Sequence, residues 1–133
     1  MAELISVDTN VVVRFLTQDD PEQFKKAKEI FANNEVVIAT TVILETEWVL
    51  RFAYEFDPKS IAHAFRNLFG LRNVQGEHPV RLATAIEWHE KGLDFADALH
   101  LAACQETNAF KTFDKDLRKR ASSISACPVE APE

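Results

Sequence analysis

The sequence is poor in the residues that several common chemistries require. Only two cysteines, Cys104 and Cys127, occur among 133 residues, and they show no CxxC spacing. That leaves no Cys/His zinc motif and no sign of an oxidising compartment. Both are expected as free thiols, Cys104 in a helix and Cys127 near the tail. Neither His78 nor His89 lies at metal-ligand spacing from another histidine, and both are expected to face solvent. Three glycines form no phosphate-cradling loop, and there is no GxSxG nucleophile elbow. No apolar run approaches the roughly 20 residues of a membrane span. The start Met1-Ala2-Glu3 lacks the charged and apolar regions of a signal peptide, so a cytoplasmic protein is expected. Basic residues are short too: 15 Lys and Arg face 21 Asp and Glu, a net charge of −6 that at first argues against a nucleic-acid partner.

With 47% hydrophobic residues, the chain fits one compact domain over residues 1–133. The run from Leu4 to Val7 favours a buried β-strand, and Asp8-Thr9-Asn10 ends it just before a second apolar run, Val11 to Leu16. Thr9 or Asn10 is placed to cap the helix that follows, and Asp8 stands at the carboxyl end of the strand, where open α/β sheets bind ligands. A plain capping role for Asp8 stands beside that reading. Pro21 opens a helix to about Asn33, with Phe24, Ala27, Ile30 and Phe31 on one face, and Val36 to Ala39 reads as a second strand. This is a βαβ start, since parallel strands need a helical crossover.

A third helix runs from Thr40 to about Phe56 and is apolar nearly all round, which predicts burial on several sides. Glu45 shares a stripe with Val42, Val49, Phe52 and Phe56 and has no basic residue one turn away. An inward carboxylate without a partner is costly unless protonated, paired or bound to a cation, so Glu45 is a candidate functional acid. Glu47 has Arg51 at i+4 and predicts an ordinary ion pair. Asp57-Pro58 starts a helix to about Gly70, giving a hairpin with Phe52, Phe56, Phe65 and Phe69 that is either core or an association surface. Asn73 to Gly76 suggests a weak strand and Pro79 a helix to Gly92.

Asp94 is an apt N-cap with Asp97 at N3. Asp97 shares a face with Leu101 and Cys104, and near a helix N-terminus it is expected to be stabilised as the anion. Ala109 to Phe113 reads as a strand, Asp114 follows it as Asp8 follows the first, a helix runs from about Asp116 to Ala121, and Ala126 to Val129 forms an edge strand. Asp8, Glu45, Asp97 and Asp114 are thus acids on four elements, each with an argument for facing one sheet end. All-oxygen clusters of this kind suit Mg²⁺ or Mn²⁺. They would account for four of the six net negative charges.

With VDTNVVVRFL, TTVILETEWVL, DFADALHLA and KTFDKDL in order, the sequence resembles the PIN-domain ribonucleases, in particular the VapC-type toxins of toxin–antitoxin pairs. The resemblance implies a three-layer α/β/α sandwich with a central, mainly parallel sheet. It also implies a Mg²⁺- or Mn²⁺-dependent endoribonuclease acting on structured RNA, often tRNA, that forms a homodimer and is inhibited by a VapB-type antitoxin. By motif position the catalytic and metal-binding acids fall on Asp8, Glu45, Asp97 and Asp114, with Thr9, Asn10 and Thr112 in support; roles for Asp94 and Asp116 stay open. A basic rim of Lys111, Lys115, Arg118, Lys119 and Arg120 is the candidate RNA path, whereas Lys25, Lys26 and Lys28 read as a solvated helix face. The alternatives are an inactive PIN-like RNA- or protein-binding module and another Mg²⁺-dependent phosphoesterase. The DxD pattern of the common aspartate phosphatases is missing after the first strand.

Overall fold

The computed structural model describes residues 3–133. Met1 and Ala2 of the start discussed above lie outside the described residues. The chain divides into two compact units, the first ending at Pro79 and the second running Val80–Glu133. The architecture is helix-rich α/β with parallel strand pairing, the class the sequence indicates.

The first unit holds a three-stranded parallel sheet in the order β1 (Leu4–Ser6), β2 (Glu35–Ile38), β3 (Val74–Gly76). Its register sets Ile5 against Val36 and Val36 against Val74. Helices α1 (Thr9–Thr17) and α2 (Pro21–Asn33) connect β1 to β2, and α3 (Thr40–Ala53) and α4 (Pro58–Phe69) connect β2 to β3. The helix starts are local chemistry. At Asp20-Pro21 and again at Asp57-Pro58, the aspartate accepts from the backbone N–H three residues on, Gln23 at 3.1 Å and Ser60 at 2.8 Å. In both, proline takes the first turn, where its missing N–H is not needed. Helix α3 has no side-chain cap of its own. Glu77 supplies one from beyond β3, accepting from Thr40 N at 3.1 Å, and that bond holds its carboxyl below the usual range. Gly70 closes α4, where an added Cβ would sit 2.8 Å from the Arg66 carbonyl oxygen.

Three expectations for this unit need correction. Strand β1 is not a buried strand: it is one of the two outer strands of this sheet, with Leu4 72% exposed, while Val36 and Ile38 of the central β2 are fully buried. The cap of α1 is Asp8, not Thr9 or Asn10. Helix α3 is not buried on several sides. Its buried residues are Ile43, Thr46, Glu47 and Leu50, the i, i+3, i+4, i+7 stripe of a single face. Polar groups on that stripe are satisfied locally, Thr46 Oγ1 on the Val42 carbonyl at 2.7 Å and Glu47 on Arg51 Nε at 2.8 Å. The apolar side chains on the other side stay out. Phe52 is 60% exposed, its ring 5.0 Å from that of Trp48 and covered by the Arg51 guanidinium at 4.6 Å.

The second unit contains the body of α5 (Pro79–Glu90), then α6 (Phe95–Ala103), β4 (Phe110–Lys111), α7 (Lys115–Ala121) and β5 (Val129–Glu130). Strands β4 and β5 pair in parallel, Phe110 with Val129, so the tail strand lies a little later than the sequence indicates. Gln105 anchors it, donating to Ser125 Oγ at 2.9 Å and accepting from Ala126 N at 3.0 Å. Leu93, Phe95, Leu101, Leu117, Ala121 and Cys127 are buried. Both cysteines are free. His78 is exposed as expected, but His89 is not solvent-facing. It is 6% exposed, and its Nδ1 donates to the Leu93 carbonyl at 2.7 Å, leaving Nε2 without a partner among the described residues.

Candidate functional site

In the first unit the chain leaves β1 at Ser6, and Asp8 takes up the extended backbone of an N-cap (φ −86°, ψ 168°). Its Oδ1 accepts from Thr9 N at 2.8 Å, so its other oxygen has no protein donor among the described residues. Thr9 is buried, and its hydroxyl donates to Glu45 Oε1. One residue therefore gives both of its protons to carboxylates, the amide to Asp8 and the hydroxyl to Glu45, which ties the end of β1 to α3. Glu45 itself is exposed. The expectation that it turns into an apolar interior is wrong: Glu45 lies on the outward face of α3 with Phe52, and Val42, Val49 and Phe56 of its stripe are only half-buried. The buried acid of that helix is Glu47, 1% exposed and paired with Arg51.

In the second unit Asp94 caps α6, its Oδ2 accepting from Asp97 N at 3.1 Å. Asp114 caps α7, accepting from Leu117 N at 3.0 Å, while Thr112 Oγ1 accepts from Asp114 N at 3.1 Å. Asp97 is half-buried, and its carboxyl is pushed above the usual carboxylate range. Burial is the largest cause, followed by the charges of Asp94 and Asp114, with His100 opposing. That reverses the expectation of an anion stabilised by the helix N-terminus: desolvation and two like charges outweigh the dipole.

Thus Asp8, Thr9 and Glu45 are joined by hydrogen bonds, and Asp97 shares an electrostatic neighbourhood with Asp94 and Asp114. Among the described residues, no group of three or more Asp, Glu, His or Cys side chains is close enough to hold a metal ion. Asn10 is exposed at the start of a groove between α1 and α2. Of the basic rim, Lys115 and Lys119 are exposed. Lys111 pairs with Glu130 at 2.7 Å. Arg118 donates to the Thr112 carbonyl at 2.8 Å and so braces the strand end before Asp114. Arg120 binds Asp116 at 2.8 Å and the Gly92 carbonyl at 3.0 Å. Gly92 has φ +117°, a conformation that favours glycine. Asp116 is thereby accounted for as a partner of Arg120.

The model of one family, the PIN domain, matches residues 5–122 of this chain. The chain is a PIN-domain protein. No curated protein matches it. The PIN domain is in general a nuclease fold whose members work with divalent metal ions. Taken singly, and not as a group of three, carboxylates of this PIN domain have oxygens that such an ion could take. Asp8 has an oxygen with no donor among the described residues, Glu45 is open to solvent, and Asp97 sits near the like charges of Asp94 and Asp114.

Sequence reasoning pointed to an apolar surface at the Phe-rich hairpin but not to the α1 and α2 walls of the grooves. The larger, about 960 Å³, is lined in the first unit by Phe15, Leu16, Phe24, Phe56, Leu68 and Leu71, with Lys28 and Lys59 also on its wall. Its traces in the sequence were the helical spacing of Phe24 on α2 and Phe56 of the Phe-rich hairpin; the rest was hidden because a groove is made by neighbouring helices rather than by one.

Proposed function

We propose that this PIN domain is a Mg²⁺- or Mn²⁺-dependent endoribonuclease, the toxin of a VapC-type toxin–antitoxin pair, with structured RNA such as tRNA as substrate in the cytoplasm. The observation that carries the reading is Thr9, which binds two carboxylates, Asp8 and Glu45, at the carboxyl end of β1. On this proposal the two compact units are parts of one nuclease domain, residues 1–133. On the resemblance, Asp8, Glu45, Asp97 and Asp114 are the acids proposed for metal binding and catalysis. When bound, such an ion supplies charge neutralisation at the scissile phosphate and an attacking water of lowered pKa.

The chain's own residues supply the positioning. Thr9 fixes the orientation of the Asp8 and Glu45 carboxylates, and Thr112 fixes the Asp114 backbone. Asp97 holds a proton to higher pH than an ordinary aspartate, so protons compete there with a cation. Lys115 and Lys119 present unshielded positive charge beside Asp114 to the RNA backbone.

Two features support the partners implied by the resemblance. The apolar groove lined by Phe15, Phe24 and Phe56, with Lys28 and Lys59 beside it, suits an amphipathic helix with acidic residues from a VapB-type antitoxin. The exposed Trp48 and Phe52 suit burial against a second copy in a homodimer.

The test is incubation of the purified protein with a labelled tRNA pool, with Mg²⁺ or with EDTA, followed by mapping of the cut ends. Discrete cuts that need Mg²⁺ and vanish in Asp8→Asn are expected. The rival reading is an inactive PIN-like binding module. RNA retained uncut under both conditions would establish that rival.

A further inference from the structure

The three lysines Lys25, Lys26 and Lys28 in the middle of α2 do not share one environment. Lys28 lines the apolar groove described above, Lys26 lines a second groove on the other side of α2, and Lys25 lines neither. The second groove, about 390 Å³, runs between α1 and α2 and begins at Asn10, two residues beyond Asp8. We propose that it is a nucleotide subsite of the substrate strand: it takes the base of an RNA residue on its floor and that residue's phosphate on Lys26. This deepens the ribonuclease reading and rests on it for the identity of the strand.

The lining is what an RNA residue requires. Val11, Ala27 and Ile30 form an apolar surface for a base, and Asn10 offers an amide for hydrogen bonding. Arg14 and Lys26 are the charged members, and among the described residues no acid lines the groove, in a chain of net charge −6. The volume falls in the range of about 300–1,000 Å³ typical of small-molecule sites. The cations differ in availability. Arg14 binds Asp19 at 3.1 Å, Gln23 at 2.7 Å and the Tyr54 hydroxyl at 3.1 Å, so its guanidinium is committed to bracing α1 against α2. Lys26 is exposed and has no ion pair among the described residues, so it meets an incoming phosphate without losing a partner. Asp8 and Asn10 both belong to the first turn of α1 or its cap, so a nucleotide in the groove places its neighbour in the strand beside the Asp8 carboxylate.

The experiment measures binding of a fluorescein-labelled single-stranded oligouridylate to the full chain by anisotropy, in EDTA so that no cleavage occurs, at several salt concentrations. Lys26→Glu is compared with Lys25→Glu, which makes the same change in charge one position away, on an exposed residue outside the groove. Lys26→Glu is expected to weaken binding about tenfold or more and to reduce the slope of log affinity against log salt by about 0.7, the loss of one phosphate contact. Lys25→Glu is expected to change affinity less than about twofold, as a general field effect. Circular dichroism confirms that both variants fold. Equal losses in the two variants, no loss in Lys26→Glu, or no binding by the wild type would overturn the subsite. Cleavage assays run in parallel separate the two readings. Discrimination between the variants without any cleavage keeps the subsite and removes the nuclease, and cleavage indifferent to Lys26 does the reverse.

Discussion

Replacing Thr9 by valine keeps the side-chain shape and removes only the hydroxyl that binds Glu45. A hydrogen bond to a charged group contributes about 1.5–3 kcal/mol. Glu45 lies on the outward face of α3, so water can replace the lost donor, and the backbone bond from Thr9 N to Asp8 is untouched. The loss therefore falls at the lower end, about 1.5 kcal/mol, or roughly tenfold in the folding equilibrium. Part of that figure belongs to Thr9 itself and part to its coupling with Glu45. A double-mutant cycle with Glu45→Ala, read by urea denaturation, isolates the coupling, which is expected near 1 kcal/mol. Titration of Mn²⁺ into the same proteins should show weaker binding by Thr9→Val even though no ligand oxygen is removed. Additivity of the two substitutions within about 0.3 kcal/mol would show that Thr9 does not hold Glu45, and the case for a built site at the end of β1 would fail.

Asp94→Asn keeps the cap on α6 and removes a charge beside Asp97, so it should match or exceed wild-type stability, whereas Asp94→Ala should lose about 1 kcal/mol by urea denaturation. Asp97→Asn should stabilise the metal-free protein at neutral pH. Because the folded-state pKa of Asp97 is raised, its contribution is most favourable below the unfolded pKa and declines as pH rises through the folded one. The advantage of Asp97→Asn should therefore shrink as the medium is acidified, and thermal melts across that window that keep a constant offset would contradict the raised pKa. Arg51→Ala leaves the Glu47 carboxylate buried without its ion pair and should destabilise by about 3 kcal/mol, most of it recovered in the Glu47→Gln double variant.

The starts of α2 and α4 were legible in the sequence because Asp20-Pro21 and Asp57-Pro58 act within one turn. What escaped depends on partners that spacing does not reveal. No basic residue lies one turn from Glu45, and its donor is a hydroxyl 36 positions away in the chain. The facing of α3 was misread because apolar side chains lie on both sides, and satisfied polar groups at Thr46 and Glu47 took the inner one. His89 looked free because its acceptor is a backbone carbonyl, which no side-chain pattern records. The helix N-terminus at Asp97 was visible, but its burial and the charge of Asp114 were not.

The apolar groove of the first unit has a consequence for the order in which the protein is made. Every residue that lines it lies between Phe15 and Leu71. Leu71 precedes Asp97 by 26 positions, which is roughly 1–5 s of synthesis at about 5–20 residues per second. On the ribosome, the surface proposed for the restraining partner is therefore complete in sequence before the last two proposed catalytic acids have been added. A restraint supplied at that stage can precede the hazard.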